Sequence, residues 1–70
     1  MKRTAVKSTD IAIIGYDQDG KILEVAFRSG SVYHYSNVSE DVFRAFVDAK
    51  SHGVFFKDHI REKYQCEKIA

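Results

Sequence analysis

The residues of this 70-residue chain best suited to metal or nucleophile chemistry are three histidines and a single cysteine. Their spacing argues against both uses. His52, His59 and Cys66 recur at intervals of seven, and His34 stands apart in an alternating stretch. A metal-binding helix presents its ligands at i, i+3 or i+4, whereas seven helical residues span ~10 Å, too far for one ion. Cys66 and His59 make a nominal dyad, but no loop nearby offers an oxyanion site. Asp17, Asp19, Glu40 and Asp41 are candidate paired carboxylates. They fall in a turn and at a helix start, where acidic residues have structural reasons to be. So short a chain also leaves little room for a water-excluding pocket. The expectation is a protein with no catalytic role, no metal and no cofactor.

The aromatic and basic residues point elsewhere. Tyr33 and Tyr35 are two apart in an alternating run, so both rings lie on one face of a strand. Such a pair can stack on nucleobases, as sheet-platform RNA binders do. It can equally fill the core edge beneath a helix, with the hydroxyls at the rim. In a chain with this little core material the second use weighs more. Downstream, Phe55, Phe56, Lys57, His59, Arg61 and Lys63 interleave rings with bases. Helical spacing turns Phe56, Ile60 and Lys63 toward a core and leaves Lys57 and Arg61 free. Beside Lys2, Arg3 and Lys7, and together with Arg28, they form a candidate phosphate-contacting set. Asp58, Glu62 and Glu67 interrupt it, as they do on a solvated helix face.

The elements that must position these residues follow from hydrophobic period. Residues 1 to about 8 are polar and basic, a flexible arm. Ile11 to Tyr16 is β-branched and aromatic, the composition of a strand. Asp17-Gln18-Asp19-Gly20 reads as a turn in which Asp bonds its own backbone and Gly accepts positive φ. From Lys21 to Arg28 the chain alternates. Leu23, Val25 and Phe27 point to one face; Glu24, Ala26 and Arg28 point to the other, which should be wet. Ser29-Gly30 signals a two-residue hairpin into a third strand, Val32 to Ser36.

The period then changes. Ser39 is an N-cap, with Glu40 and Asp41 in the first turn. Val42, Phe43, Phe46 and Val47 form a helical stripe ending near Lys50, whose charge complements the dipole. Gly53 is a C-cap or a break before a second helix from about Val54 to Tyr64. The tail from Gln65 is undetermined. The expected fold is α+β: a three-stranded antiparallel meander followed by two short helices on one sheet face, a single domain with an ordered core over about 9–64.

Composition sets further bounds. The net charge of +1 gives no strong field for steering to polyanions, so nucleic-acid binding would rest on a local patch. Five Phe and four Tyr exclude a disordered chain. The lone Cys66 forbids an internal disulfide and fits a reducing, cytoplasmic setting. Met1-Lys2-Arg3 is followed by polar residues rather than an apolar run, so it does not read as a signal peptide.

Taken together, Ser8, Ile14-Gly15-Tyr16-Asp17, Leu23-Glu24-Val25-Ala26-Phe27, Ser29-Gly30, Tyr33-His34-Tyr35, Val38, Ala49-Lys50-Ser51 with Gly53, Phe56, Ile60-Arg61 and Tyr64 resemble the KTSC domain. The tyrosine-x-tyrosine centre is that family's hallmark. The family takes its name from the C-terminal domain of some lysyl-tRNA synthetases and also occurs as short stand-alone bacterial proteins. The chain departs from its pattern at Ser39 and Gln65, where proline is expected, and at Phe43, where tyrosine is common. The resemblance implies an RNA-handling context. The leading expectation is therefore a binding module for RNA or an RNA-handling protein, with Tyr33 and Tyr35 stacking on bases and Arg28, Lys57 and Arg61 contacting phosphates. The alternative is a protein-interaction module that uses the sheet's open edge or outer face for a partner strand.

Overall fold

The computed structural model describes residues 1–70. Five antiparallel strands lie side by side in chain order: β1 (Lys2–Ala5), β2 (Ile11–Asp17), β3 (Ile22–Phe27), β4 (Val32–Tyr35) and β5 (Cys66–Lys68). Between β4 and β5 the chain forms α1 (Glu40–Asp48), α2 (His52–Phe55) and, continuous with α2, a wide π-type turn over Phe56–Ile60. The α+β class with an antiparallel sheet is as expected. The strand count is not, because the supposed arm contributes β1 and the tail contributes β5. Both are edge strands, polar and mostly exposed, so neither carries the one-sided alternation that marks a half-buried strand.

On β2, Ile11 lies opposite Phe27 and Ile13 opposite Ala26. Two residues on one strand thus oppose a single step on the other, a β-bulge. It brings Ile11 and Ile14, an odd interval apart, into the same core, where both are fully buried. At the β2–β3 turn Asp17 Oδ1 accepts from the Asp19 amide at 3.2 Å. The left-handed residue is Lys21, at φ 55°, rather than Gly20. The β3–β4 hairpin is one residue wider than expected. Phe27 N donates to Ser31 O at 2.8 Å and Gly30 N to Phe27 O at 3.0 Å, with Gly30 at φ 103°. That is a three-residue loop whose last position requires glycine.

Ser39 caps α1, its Oγ accepting from the Val42 amide at 3.4 Å. Helix α1 ends at Asp48, so Lys50 lies beyond it and leaves the last turn without a cation. The helix is fixed to the sheet by Tyr16. The tyrosine ring stacks on Phe43 with centroids 4.9 Å apart, and its hydroxyl donates to Val38 O at 2.6 Å. Phe46 is completely buried and stacks on Phe55 at 5.3 Å. An aromatic core ring of this size is worth roughly 3–5 kcal/mol against alanine.

The second helical segment begins earlier and ends sooner than its sequence pattern suggests. Ser51 caps it through the Val54 amide at 3.3 Å, which places Gly53 inside α2. Arg61 N then reaches back five residues to Phe56 O at 2.8 Å, and Glu62 reverses the chain in the left-handed region at φ 65°. The helix therefore stops at Ile60. Lys63 is exposed rather than turned to the core, and Tyr64 packs against the core from beyond the helix. The reversal is what delivers the tail to β4, where Ser36 N donates to Gln65 O at 2.9 Å.

The face away from the helices is not uniformly wet. Arg3, Gly15, Glu24, His34 and Glu67 form one row across all five strands. Within it Glu24 is 7% exposed, contrary to the alternation reading. Its carboxylate accepts from Arg3 Nε at 2.7 Å and is bonded to His34 Nε2 at 2.9 Å. Satisfied in this way, a buried carboxylate is tolerable. The Arg3 hydrogen bond is the main reason its pKa lies below the usual carboxylate range; burial works the other way, and the His34 bond assists Arg3.

Candidate nucleic-acid interface

An open groove of about 790 Å³ runs along the helix side of the sheet at the β3–β4 hairpin. One wall is Thr9 and Asp10, leading into β2. The hairpin supplies Phe27, Arg28, Ser29, Ser31 and Tyr33; the opposite wall is Phe56, Lys57 and Arg61 from the π-type turn and the residue after it. A smaller recess of about 250 Å³ adjoins it. This recess shares Phe27, Tyr33, Phe56 and Arg61 with the groove and adds Tyr35. All five residues singled out from the sequence therefore border one continuous depression. Arg28, Lys57 and Arg61 bring three positive charges to it, against a single carboxylate from Asp10.

The five do not have equal access. Tyr33 is half-buried and stands edge-on to Phe27 with centroids 5.9 Å apart. Tyr35 is only 4% exposed and packs edge-on to Phe56 at 5.9 Å. Its ring cannot receive a base, so the expected stacking pair reduces to Tyr33. Both side chains share a face, as their spacing requires, but Tyr35 lies deeper beneath the helical layer. Burial, reinforced by Cys66 and Tyr33 against the opposing charge of Arg61, pushes the Tyr35 hydroxyl up to about 12.

Arg28 also departs from its expected role. It lies past the end of β3, and its Nε donates to Ser8 O at 2.7 Å while Nη2 donates to Val6 O at 3.1 Å. The guanidinium thereby clasps the β1–β2 connection and fixes the wall bearing Thr9 and Asp10. Lys57 and Arg61 are exposed, and neither forms an ion pair. Arg61 takes its place from the π-type turn, since the five-residue return to Phe56 O sets where the chain leaves the helix.

The other candidates are dispersed. His34 is bonded to Glu24 on the far face, His52 Nε2 lies 3.0 Å from Val47 O, and His59 rests against the Phe55 ring at 4.6 Å. Cys66 is exposed on β5 opposite Tyr35. Lys2, Arg3 and Lys7 do not line the groove, and Arg3 is taken by Glu24. The open edges of the expected meander, offered there for a partner strand, are occupied by the chain's own β1 and β5. Sequence reasoning missed Thr9, Asp10, Ser29 and Ser31 as groove residues. The one available signal was their position flanking strand ends that the bulge and the hairpin bring together.

The chain belongs to the KTSC domain family, whose sequence pattern matches residues 7–64, a span that includes every groove residue. Among individual relatives, an uncharacterised protein from Stutzerimonas stutzeri (strain A1501) is 38% identical over 64 residues, covering 91% of this chain and 90% of that protein. The crystal structure of a KTSC domain protein from Yersinia pestis is similar throughout, with a TM-score of 0.92 and 41% identity. The match covers 99% of this chain and 97% of that one.

Proposed function

We propose that this protein is a non-catalytic module that binds single-stranded RNA along the groove at the β3–β4 hairpin. The observation that carries the reading is the convergence of Lys57 and Arg61, both exposed and unpaired, with the half-buried Tyr33 ring on one open depression. A backbone of phosphates needs cations at its flank, and unstacked bases need an accessible aromatic face. Here Lys57 and Arg61 take the phosphates and Tyr33 takes a base. Tyr35 and Phe56 back the platform from below, and Arg28 is a positioning residue that holds the β1–β2 connection. The near-neutral net charge makes this a short-range, local interaction rather than a long-range steered one.

The test is fluorescence anisotropy with a labelled single-stranded RNA of mixed sequence, between about 50 and about 200 mM salt. Binding should weaken with salt, and Lys57→Ala and Arg61→Ala should each reduce the slope of log affinity against log salt by about 0.7. Tyr33→Ala should weaken binding with that slope unchanged, by about 1–3 kcal/mol if one base stacks on the ring. Absence of binding by the intact protein at the lowest salt would defeat the proposal.

A further inference from the structure

Asp10 is out of place in a groove built for phosphates. Its backbone is fully used: its amide donates to Ser8 Oγ at 3.4 Å and its carbonyl accepts from Arg28 N at 2.8 Å. Its carboxylate is exposed on the groove wall and makes neither a hydrogen bond nor an ion pair, although three cations border the same depression. A free carboxylate repels a phosphate, so it weakens RNA binding unless it meets a hydrogen-bond donor. The donors that a single-stranded nucleic acid offers are base N–H groups and ribose hydroxyls.

We propose, on the premise that the groove binds RNA, that Asp10 reads a guanine. A carboxylate accepts through two oxygens at once. The Watson–Crick edge of guanine presents two adjacent donors, N1–H and the N2 amino group, in matching geometry. Uracil presents one N–H between two carbonyl oxygens, which a carboxylate repels. Adenine and cytosine offer an amino group beside an acceptor nitrogen. Guanine alone satisfies both oxygens.

The guanine read by Asp10 is not the base stacked on Tyr33. Asp10 is level with Arg28 on one side of β3 and Tyr33 with Val25 on the other, so by the usual strand spacing and rise the two are roughly 14 Å apart. One base cannot span that gap, but a second nucleotide of the same extended strand can. The groove thus reads two separate positions differently: one by stacking, tolerant of sequence, and one by hydrogen bonds. Ser29 and Ser31 of the hairpin line the same groove. The Arg28 clasp on Ser8 O and Val6 O makes Asp10 a fixed rather than a mobile reader.

The experiment compares a short oligouridylate with the same oligomer carrying one guanosine, and with one carrying inosine, which lacks the N2 amino group. Wild-type protein should bind the guanosine oligomer about tenfold more tightly than the all-uridine one, with inosine between them. Asp10→Asn should lose that preference while still binding RNA, and should bind the all-uridine oligomer at least as well as wild type. Equal wild-type affinity for all three oligomers, or an undiminished guanosine preference in Asp10→Asn, overturns the assignment and leaves RNA binding itself standing. Failure of wild type to bind any oligomer at low salt overturns both.

Discussion

Arg3 and Glu24 sit on strands that are not neighbours, yet Arg3 Nε meets Glu24 Oε2 at 2.7 Å. The bond passes over β2 at Gly15, the residue opposite both. A Cβ at Gly15 would stand 3.1 Å from Arg3 Cγ and 3.3 Å from Glu24 Oε2. The missing side chain is therefore the space through which the ion pair closes.

Gly15→Ala sets two effects against each other. Alanine in a strand relieves about 0.5–1 kcal/mol of backbone entropy, whereas crowding a packed contact costs about 1–3 kcal/mol. The crowded atoms include Glu24 Oε2, the oxygen that accepts from Arg3 Nε, so the second effect should win. We expect net destabilisation of about 1 kcal/mol and faster hydrogen exchange in the β1–β2 ladder. An equal or higher melting temperature would show that Arg3 yields freely.

The Glu24 pKa is depressed in the folded state, chiefly by the Arg3 hydrogen bond. Its stabilising contribution is therefore present above the ordinary carboxylate pKa, about 4.3 in an unfolded chain, and is lost as pH falls through the depressed folded value. Glu24→Gln should lower stability at pH 7 and flatten the acid limb of the stability curve. Urea denaturation from pH 7 to pH 3 measures both; parallel acid limbs in the two proteins would refute the assignment.

Tyr16→Phe removes the donor to Val38 O, a bond of 2.6 Å in a buried setting. It strands that carbonyl without changing the Phe43 stack. The expected loss is about 1–2 kcal/mol, which in a domain of this size lowers the melting temperature by about 4–16 °C. A shift of less than about 2 °C would mean that water reaches the carbonyl.

Tyr35 should be the last tyrosine to ionise, near pH 12. Its raised folded pKa means that its contribution to stability is complete below pH 10 and disappears as pH rises through the folded value. A spectrophotometric titration should show a delayed phase that Tyr35→Phe abolishes. If all four tyrosines ionise together while the protein is still folded, Tyr35 is not the buried ring described.

The sequence discloses the middle of this fold better than its margins. β2, β3 and β4 were legible because their alternation and turn residues are local signals, and α1 because Ser39 and the acidic first turn mark its start. β1 and β5 were not. Lys-Arg-Thr-Ala and Cys-Glu-Lys pair through backbone groups with strands remote in sequence, and their side chains carry no burial pattern. Helix-two periodicity overran Ile60 because it has no way to register a π-type turn or the left-handed Glu62. The burial of Glu24 depended on β1 docking above it, so it could not be inferred before β1 was known. At the groove, residue types alone picked out Arg28, Tyr33, Tyr35, Lys57 and Arg61. How far each reaches solvent, and that Arg28 is spent on two carbonyls, are tertiary facts. Asp10 escaped because a carboxylate just before a strand looks like ordinary loop.

The spatial order of the five strands repeats their order along the chain, so every pairing but one closes through a short connection. The exception, β4 with β5, encloses the whole helical excursion. Three hairpins can zip in succession before the last strand arrives, whose arrival must wait for about thirty residues to condense. An insertion between Tyr35 and Cys66 would therefore lengthen only that final closure. Each doubling of the loop costs about 0.6 kcal/mol, and the register of the other four strands would be untouched.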